Sequence, residues 1–154
     1  MLDLITDRTA QDVERWNELK SKGYAAMTPA ERAEWDTSKG AYNYTDLNRV
    51  ENAVAYLAAR LNALGYRVAI SATRTWAVTD VPTIADMTRY LENIRAIRAA
   101  YTRFSTTPDA PASMNKLTYT AANDIEQILK DVETLIENMV AAFTYAGDIY
   151  GGEL

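Results

Sequence analysis

Leu47, Val50, Val54, Leu57, Leu61 and Leu64 recur at spacings of three and four within Lys39–Tyr66. That period gathers all six side chains on one face of an α-helix, which a strand with its period of two cannot do. Asn43 or Thr45 can cap the first turn, and Gly65 can take the left-handed position after the last. A helix of about 20 residues is roughly 30 Å long and marginal alone in water. The rest of the chain must cover its stripe.

Two later stretches offer that cover. Pro82 drives Val81 out of helical geometry, and Thr83 caps a helix with Asp86 three residues on. Ile84, Met87, Leu91, Ile94 and Ile97 form its stripe, flanked by Tyr90 and Tyr101. Ile125, Ile128, Leu129, Val132, Leu135, Ile136, Met139, Val140 and Phe143 give the last helix a wider apolar face. Gly147 is expected to end it, leaving the tail DIYGGEL loose. Ahead of the central stretch, Thr9 with Asp12 predicts a helix to Lys22. The Thr28–Glu31 capping box with Pro29 predicts a short helix ending near Gly40. Trp16 and Trp35 are expected to close one end of the bundle.

Arg67–Val81 is the least helical segment: Val68, Ile70, Thr73 and Thr75 favour extended structure. It reads as one extended piece or a small hairpin, anchored by Trp76 and Val78. Residues 105–113, rich in Pro, Thr and Ala, read as an internal connection. The expected architecture is therefore all-α, a single domain over 1–154. Three long amphipathic helices (43–65, 83–103 and 118–146) form a bundle, packed near +20°. Two short N-terminal helices lie within 1–40, and a small extended segment near 67–81.

Composition then removes whole classes of function. The 154 residues include no cysteine and no histidine, which excludes disulfides, thiolate nucleophiles, Cys/His zinc sites and any histidine-based triad. No Walker loop, G-x-G-x-x-G or G-x-S-x-G occurs, nor a D-x-D-x-D-G calcium loop. No cofactor or metal is expected. No apolar run reaches membrane-spanning length, and the acidic opening MLDLITDRTAQD does not resemble a secretory signal. The net charge is −5. Residues 118–154 hold seven acids and one base, while 83–117 hold five bases and three acids. These two quarters could attract each other within the fold or between subunits. Nucleic acid is disfavoured, because no concentrated basic face is present.

Only paired carboxylates remain as a catalytic option, and Asp124, Glu126, Asp131, Glu133 and Glu137 crowd the last helix. Acid–base work needs one of them desolvated in a cleft. Charges beside an apolar stripe are ordinarily solvated, so no catalytic residue is assigned. Asn48, Asn52, Asn93, Asn123 and Asn138 sit at the edges of the stripes, where asparagine is a mediocre helix former. They suggest a polar layer of inter-helix hydrogen bonds that selects one arrangement of helices. Ten tyrosines and three tryptophans against two phenylalanines favour rings with a polar edge, which suit interfaces. Tyr42, Tyr44, Tyr145 and Tyr150, with Arg89, Arg95 and Arg98 of the basic helix, are the candidate interface residues.

Several phrases carry a resemblance: Asp7-Arg8-Thr9, Met27-Thr28 through Trp35, Lys39-Gly40-Ala41-Tyr42-Asn43, and Thr45-Asp46-Leu47-Asn48-Arg49-Val50-Glu51. Further on come Trp76, Asp80-Val81-Pro82-Thr83, Asp86-Met87, Arg89-Tyr90-Leu91 with Asn93, and Ser113-Met114. Leu117-Thr118-Tyr119, Ala122 through Glu126 and Tyr145-Ala146-Gly147 complete the set. Together they resemble short proteins encoded among the tail and baseplate genes of phages and prophages of Gram-positive bacteria. The resemblance implies a setting, virion tail assembly, and no active-site residues. It implies a structural subunit made in the host bacterial cytoplasm, contacting other tail proteins and copies of itself. A tail-tip module that binds cell-wall glycan is the alternative, with a cell-wall hydrolase or host-directed regulator beyond it.

Overall fold

The computed structural model describes the backbone of residues 1–151 and the side chains through residue 146. It is all-helical, with no strand among the described residues. The helices are α1 (Ala10–Lys22), α2 (Pro29–Thr37), α3 (Tyr44–Ala63), α4 (Ile84–Ala99) and α5 (Tyr119–Gly151), with a 3₁₀ turn at Tyr24–Ala26.

Local chemistry accounts for where they start. Thr9 with Asp12, Thr28 with Glu31, Asn43 with Asp46 and Thr83 with Asp86 each form a reciprocal capping box, satisfying two orphan N–H groups apiece. α3 stops in a Schellman motif: the Tyr66 N–H reaches the Leu61 carbonyl and Gly65, at φ 92°, makes the left-handed turn. Two expected ends are corrected. α4 stops at Ala99 and not near 103. α5 does not stop at Gly147, and the backbone stays helical to Gly151. One glycine costs a helix only about 1 kcal/mol, too little to end one that is already propagating.

α3, α4 and α5 surround one core. Leu57, Leu61, Ile94, Ile97, Ile125, Ile128, Leu129 and Ile136 are fully buried there, each worth about 1.5–3 kcal/mol of transfer energy. All three helices point the same way. Arg49 pairs with Glu126 and Arg60 with Glu137, and both pairs are 77 residues apart in sequence. α3 and α5 therefore advance in step. For α4, the link is the segment 64–83. Its residues Val68 and Trp76 bond to Asn62 and Asn48 of α3, while Ser71 and Arg74 bond to Asn93 and Asp86 of α4. The segment thus runs antiparallel to both.

Parallel neighbours need long returns, and the chain makes them as extended straps. Residues 64–83 descend the α3/α4 groove. Residues 100–118 descend beside α4 and α5: Thr107 bonds Asp131, while Arg98 and Arg95 bond the carbonyls of Pro108 and Pro111. The N-terminal residues 1–9 form a third strap down α5. The Leu2, Ile5 and Arg8 N–H groups reach Glu133, Glu126 and Asn123 in turn. Each groove of the three-helix core therefore holds one strap. Within 64–83, Trp76 is buried as an anchor but Val78 is exposed. Of the two forms expected, the single extended piece is the one found, with a turn at Ala77–Asp80 before α4 and no hairpin.

α1 and α2 form a small hairpin to one side. Trp16 and Trp35 stack on each other, with ring centroids 5.2 Å apart, and neither belongs to the bundle core. The expectation that they close the bundle is corrected: each ring finds its partner inside the hairpin. Gly40 joins hairpin to bundle by close approach, since a Cβ there would stand 2.1 Å from the Asp12 carbonyl oxygen. Gly40→Ala should cost about 1–3 kcal/mol through that overlap, read as a lower urea midpoint. An unchanged midpoint would mean the 38–42 loop moves freely.

The hairpin should also respond to acid. Glu31 is drawn from 4.5 down to about 2, first by its hydrogen bond from Lys22 and then by the Thr28 N–H. Because the folded value lies below the unfolded one, this contribution is complete above 4.5 and fades as pH falls towards 2. Near-UV dichroism of the stacked tryptophans should weaken in that window. A signal flat from pH 5 to about 2 would contradict it.

Candidate functional site

The acids of α5 are the first place to look for chemistry, and most are not solvated. Glu126, Asp131 and Glu133 are buried, which corrects the expectation for charges beside an apolar stripe. Glu126, at 0 % exposure, accepts hydrogen bonds from Ile5 N–H at 2.7 Å, Arg8 Nη2 at 2.7 Å, and Arg49 Nε and Nη2 at 2.9 and 2.8 Å. Asp46, buried on α3, takes Arg8 Nη2 at 2.8 Å and also Arg49. Arg8 further donates to the Ile5 carbonyl, and its guanidinium lies 5.4 Å from the Tyr42 ring centre. Burial opposes the charge on Arg49, but the bonds to Glu126 and Asp46 outweigh it and raise its pKa. Two guanidiniums thus face two carboxylates.

Such saturation leaves little for catalysis. Every lone-pair direction of Glu126 is engaged by the chain itself, so no substrate oxygen can approach. Asp131 is held by Thr107 and Gln127, Glu133 by Leu2 N–H, and Glu137 by Arg60. Burial pushes the Asp124 carboxyl up, but it faces no second free acid among these. Among the described residues no three acids come together as a metal site. The buried acids fasten straps to helices.

Of the two ways in which the basic and acidic quarters could attract each other, the one within the fold is not used: no ion pair joins α4 to α5 among the described residues. Arg89 pairs with Glu51, Arg98 with Asp109, and Arg95 with the Pro111 and Ala112 carbonyls. α5 takes its cations from Arg8, Arg49 and Arg60 instead. Three of the expected interface residues are therefore spent within the chain, Arg95 and Arg98 on the 100–118 strap and Arg89 on Glu51 of α3 and the Ala72 carbonyl. Tyr42 also turns inward: its hydroxyl meets that of buried Tyr90 at 2.6 Å, and burial raises both phenol pKa values. Tyr44 and Tyr145 are exposed as expected. The Tyr150 side chain lies outside the described residues.

The asparagines carry a different correction. Asn48, Asn93 and Asn123 make the same contact: the amide oxygen accepts one strap N–H and the amide nitrogen donates to the same residue's carbonyl. Their targets are Trp76, Ser71 and Arg8. Asn62 treats Val68 likewise. None of these links two helices. Each gives an extended backbone the pairing a neighbouring strand would supply. Asn52 and Asn138 are exposed.

What remains open lies at the foot of the bundle. A groove of about 780 Å³ runs between the start of α4 and residues 112–117, lined by Tyr42, Leu47, Met87, Leu91, Met114 and Leu117. Beside it stand Val81 at 84 % and Ile84 at 89 % exposure. Ile84 was expected inside the α4 stripe. It occupies the first helical position, before the turn that meets the core. The D-V-P-T-I run does carry a signal, since it sets two large apolar residues on either side of a proline-enforced cap. Its lining is mostly apolar, with the hydroxyls of Thr83, Thr88 and Ser113 among it. No family model, curated protein or solved structure matches the chain. No helix among the described residues is long and apolar enough to cross a membrane.

Proposed function

We propose that the chain is a structural subunit of a phage tail or baseplate, acting through protein–protein contacts in virion assembly. The observation that carries this is the apolar groove at the foot, rimmed by exposed Val81 and Ile84. Large exposed apolar residues around a concave surface mark interaction sites. The resemblance of nearly the whole chain to tail-region proteins supplies the setting. Saturation of the buried acids supports a role without bond-making chemistry. A glycan-binding role has less support, because Trp16 and Trp35 cover each other and Trp76 is buried.

Mass spectrometry of purified particles, with cross-linking, tests the proposal. The chain should be present at a fixed ratio to known tail proteins, with cross-links to Lys116 beside the groove. Its absence from particles of a phage that encodes it would end the proposal.

A further inference from the structure

We infer that a second cavity, beside the first turn of α5, is a binding site for a carboxylate carried on a small apolar body. The inference goes beyond the structural-subunit reading and does not rest on it.

The cavity encloses about 320 Å³ between the N-terminal strap, residues 39–42 and the start of α5. It shares Tyr42 and Leu117 with the groove at the foot but differs from it in chemistry. Arg8, Lys39 and Thr118 bring polar atoms to its wall, and Val13, Leu117 and Ala122 bring apolar ones. No acid among the described residues lines it.

One polar atom there is unspent. The Arg8 side chain is only 2 % exposed. Its Nη1 donates to the Ile5 carbonyl, and its Nη2 to Asp46 and Glu126. Nε donates to nothing, and is the one buried side-chain nitrogen or oxygen among the described residues without a partner. A buried donor left unpaired is unfavourable. The wall that Arg8 forms therefore favours a ligand oxygen.

Two neighbours favour an oxygen that carries charge. The first N–H groups of a helix lack internal partners and bear partial positive charge, and in the first turn of α5 Thr118 Oγ1 takes only the Ala121 N–H. Asp7 holds Lys39 Nζ through its carboxylate at 2.7 Å and its carbonyl at 3.4 Å, which leaves the third ammonium proton to give. The positive charge is limited, since Asp46 and Glu126 already balance Arg8 and Arg49. A doubly charged phosphate asks for more than remains, whereas one carboxylate does not. At roughly 30 Å³ per water-sized group, the cavity has room for an acid of about ten non-hydrogen atoms, its body against Val13, Leu117 and Ala122.

The test uses the full chain, isotope-labelled in nitrogen and titrated with phenylacetate under NMR at about pH 7, where a carboxylate is ionised. The Arg8 Nε–H resonance and the Thr118 and Tyr119 amides should shift together and saturate, with a dissociation constant of about 1 mM. Phenylacetamide should bind at least about 5-fold more weakly, because hydrogen bonds to a charged acceptor are roughly twice as strong. Inorganic phosphate should not displace the acid. Lys39 is 33 % exposed, so Lys39→Gln should keep the thermal midpoint while weakening phenylacetate about 5-fold. A capped Leu-Glu-Leu peptide separates the sources of the carboxylate. Tighter binding than phenylacetate assigns it to a side chain of a neighbouring protein, with leucine in the foot groove; binding no tighter assigns it to a free acid. No saturable shift up to about 20 mM phenylacetate, shifts confined to the foot groove, equal binding of the amide, displacement by phosphate, or indifference to Lys39→Gln would each overturn the inference. All are read on the isolated chain, so absence from virions leaves them untouched and counts only against the tail role.

Discussion

Arg8→Met should lower unfolding stability by about 3–5 kcal/mol, the cost of breaking a buried ion pair by removing one partner. Methionine keeps much of the bulk, so the loss isolates the charge. Without Arg8, buried Glu126 and Asp46 share Arg49 alone, and Arg49 is partly exposed and already committed to both. The Ile5 carbonyl loses its donor as well. Amide exchange at residues 2–8 should accelerate beyond the global change, because Arg8 is where the first strap is fastened to both α3 and α5. Pairing Arg8→Met with Glu126→Gln should cost less than the two single changes added. By contrast Arg15→Ala, at an exposed pair with Glu34, should stay within about 1 kcal/mol. A loss below about 1 kcal/mol for Arg8→Met would show that the cluster is dispensable.

Asn48→Leu is the second large effect, and its direction separates two roles for the same residue. If Asn48 sat incidentally at a helix seam, leucine, the better helix former, would stabilise the protein. In the structure the Asn48 amide serves the Trp76 N–H and carbonyl at 2.7 and 2.8 Å, and Trp76 is buried. Two unpaired backbone groups at roughly 1–3 kcal/mol each predict a loss of about 2–6 kcal/mol. Trp76 fluorescence should shift to the red as the strap loosens. Asn93→Leu should behave the same way at Ser71 with a smaller loss, since Ser71 is exposed and water can replace the amide. Greater stability in either variant would return the asparagines to a seam role.

Both variants turn on contacts that sequence reading reached only halfway. The asparagines stood out because their type is unusual on an apolar helix edge, yet an amide does not reveal what it will pair with. Their targets lie 22 to 115 residues away, in segments whose own composition says only that they are extended. The acids misled for a related reason. A carboxylate beside a stripe is solvated unless a cation is brought to it, and Arg8 reaches Glu126 across 118 residues of sequence. Nothing local to α5 records that meeting. The groove was legible only in fragments, since Leu47 and Met87 read as stripe residues until the start of α4 and residues 112–117 left space between them.

The amino-acid sequence by itself determined the helices, their starts and the middles of their buried stripes, but not the stripe ends at Leu64, Ile84 and Phe143, which are exposed. Capping boxes and three-four periodicity act within a few residues, so the chain alone specifies them. It also determined that neither cysteine nor histidine chemistry operates here. Only the tertiary structure decided that α3, α4 and α5 run parallel, that extended straps fill the grooves between them, and that buried acids and asparagines hold those straps. Helical periodicity carries no information about direction. Direction is settled where long connections find hydrogen-bond partners across the core, and those partners exist only once the helices have met.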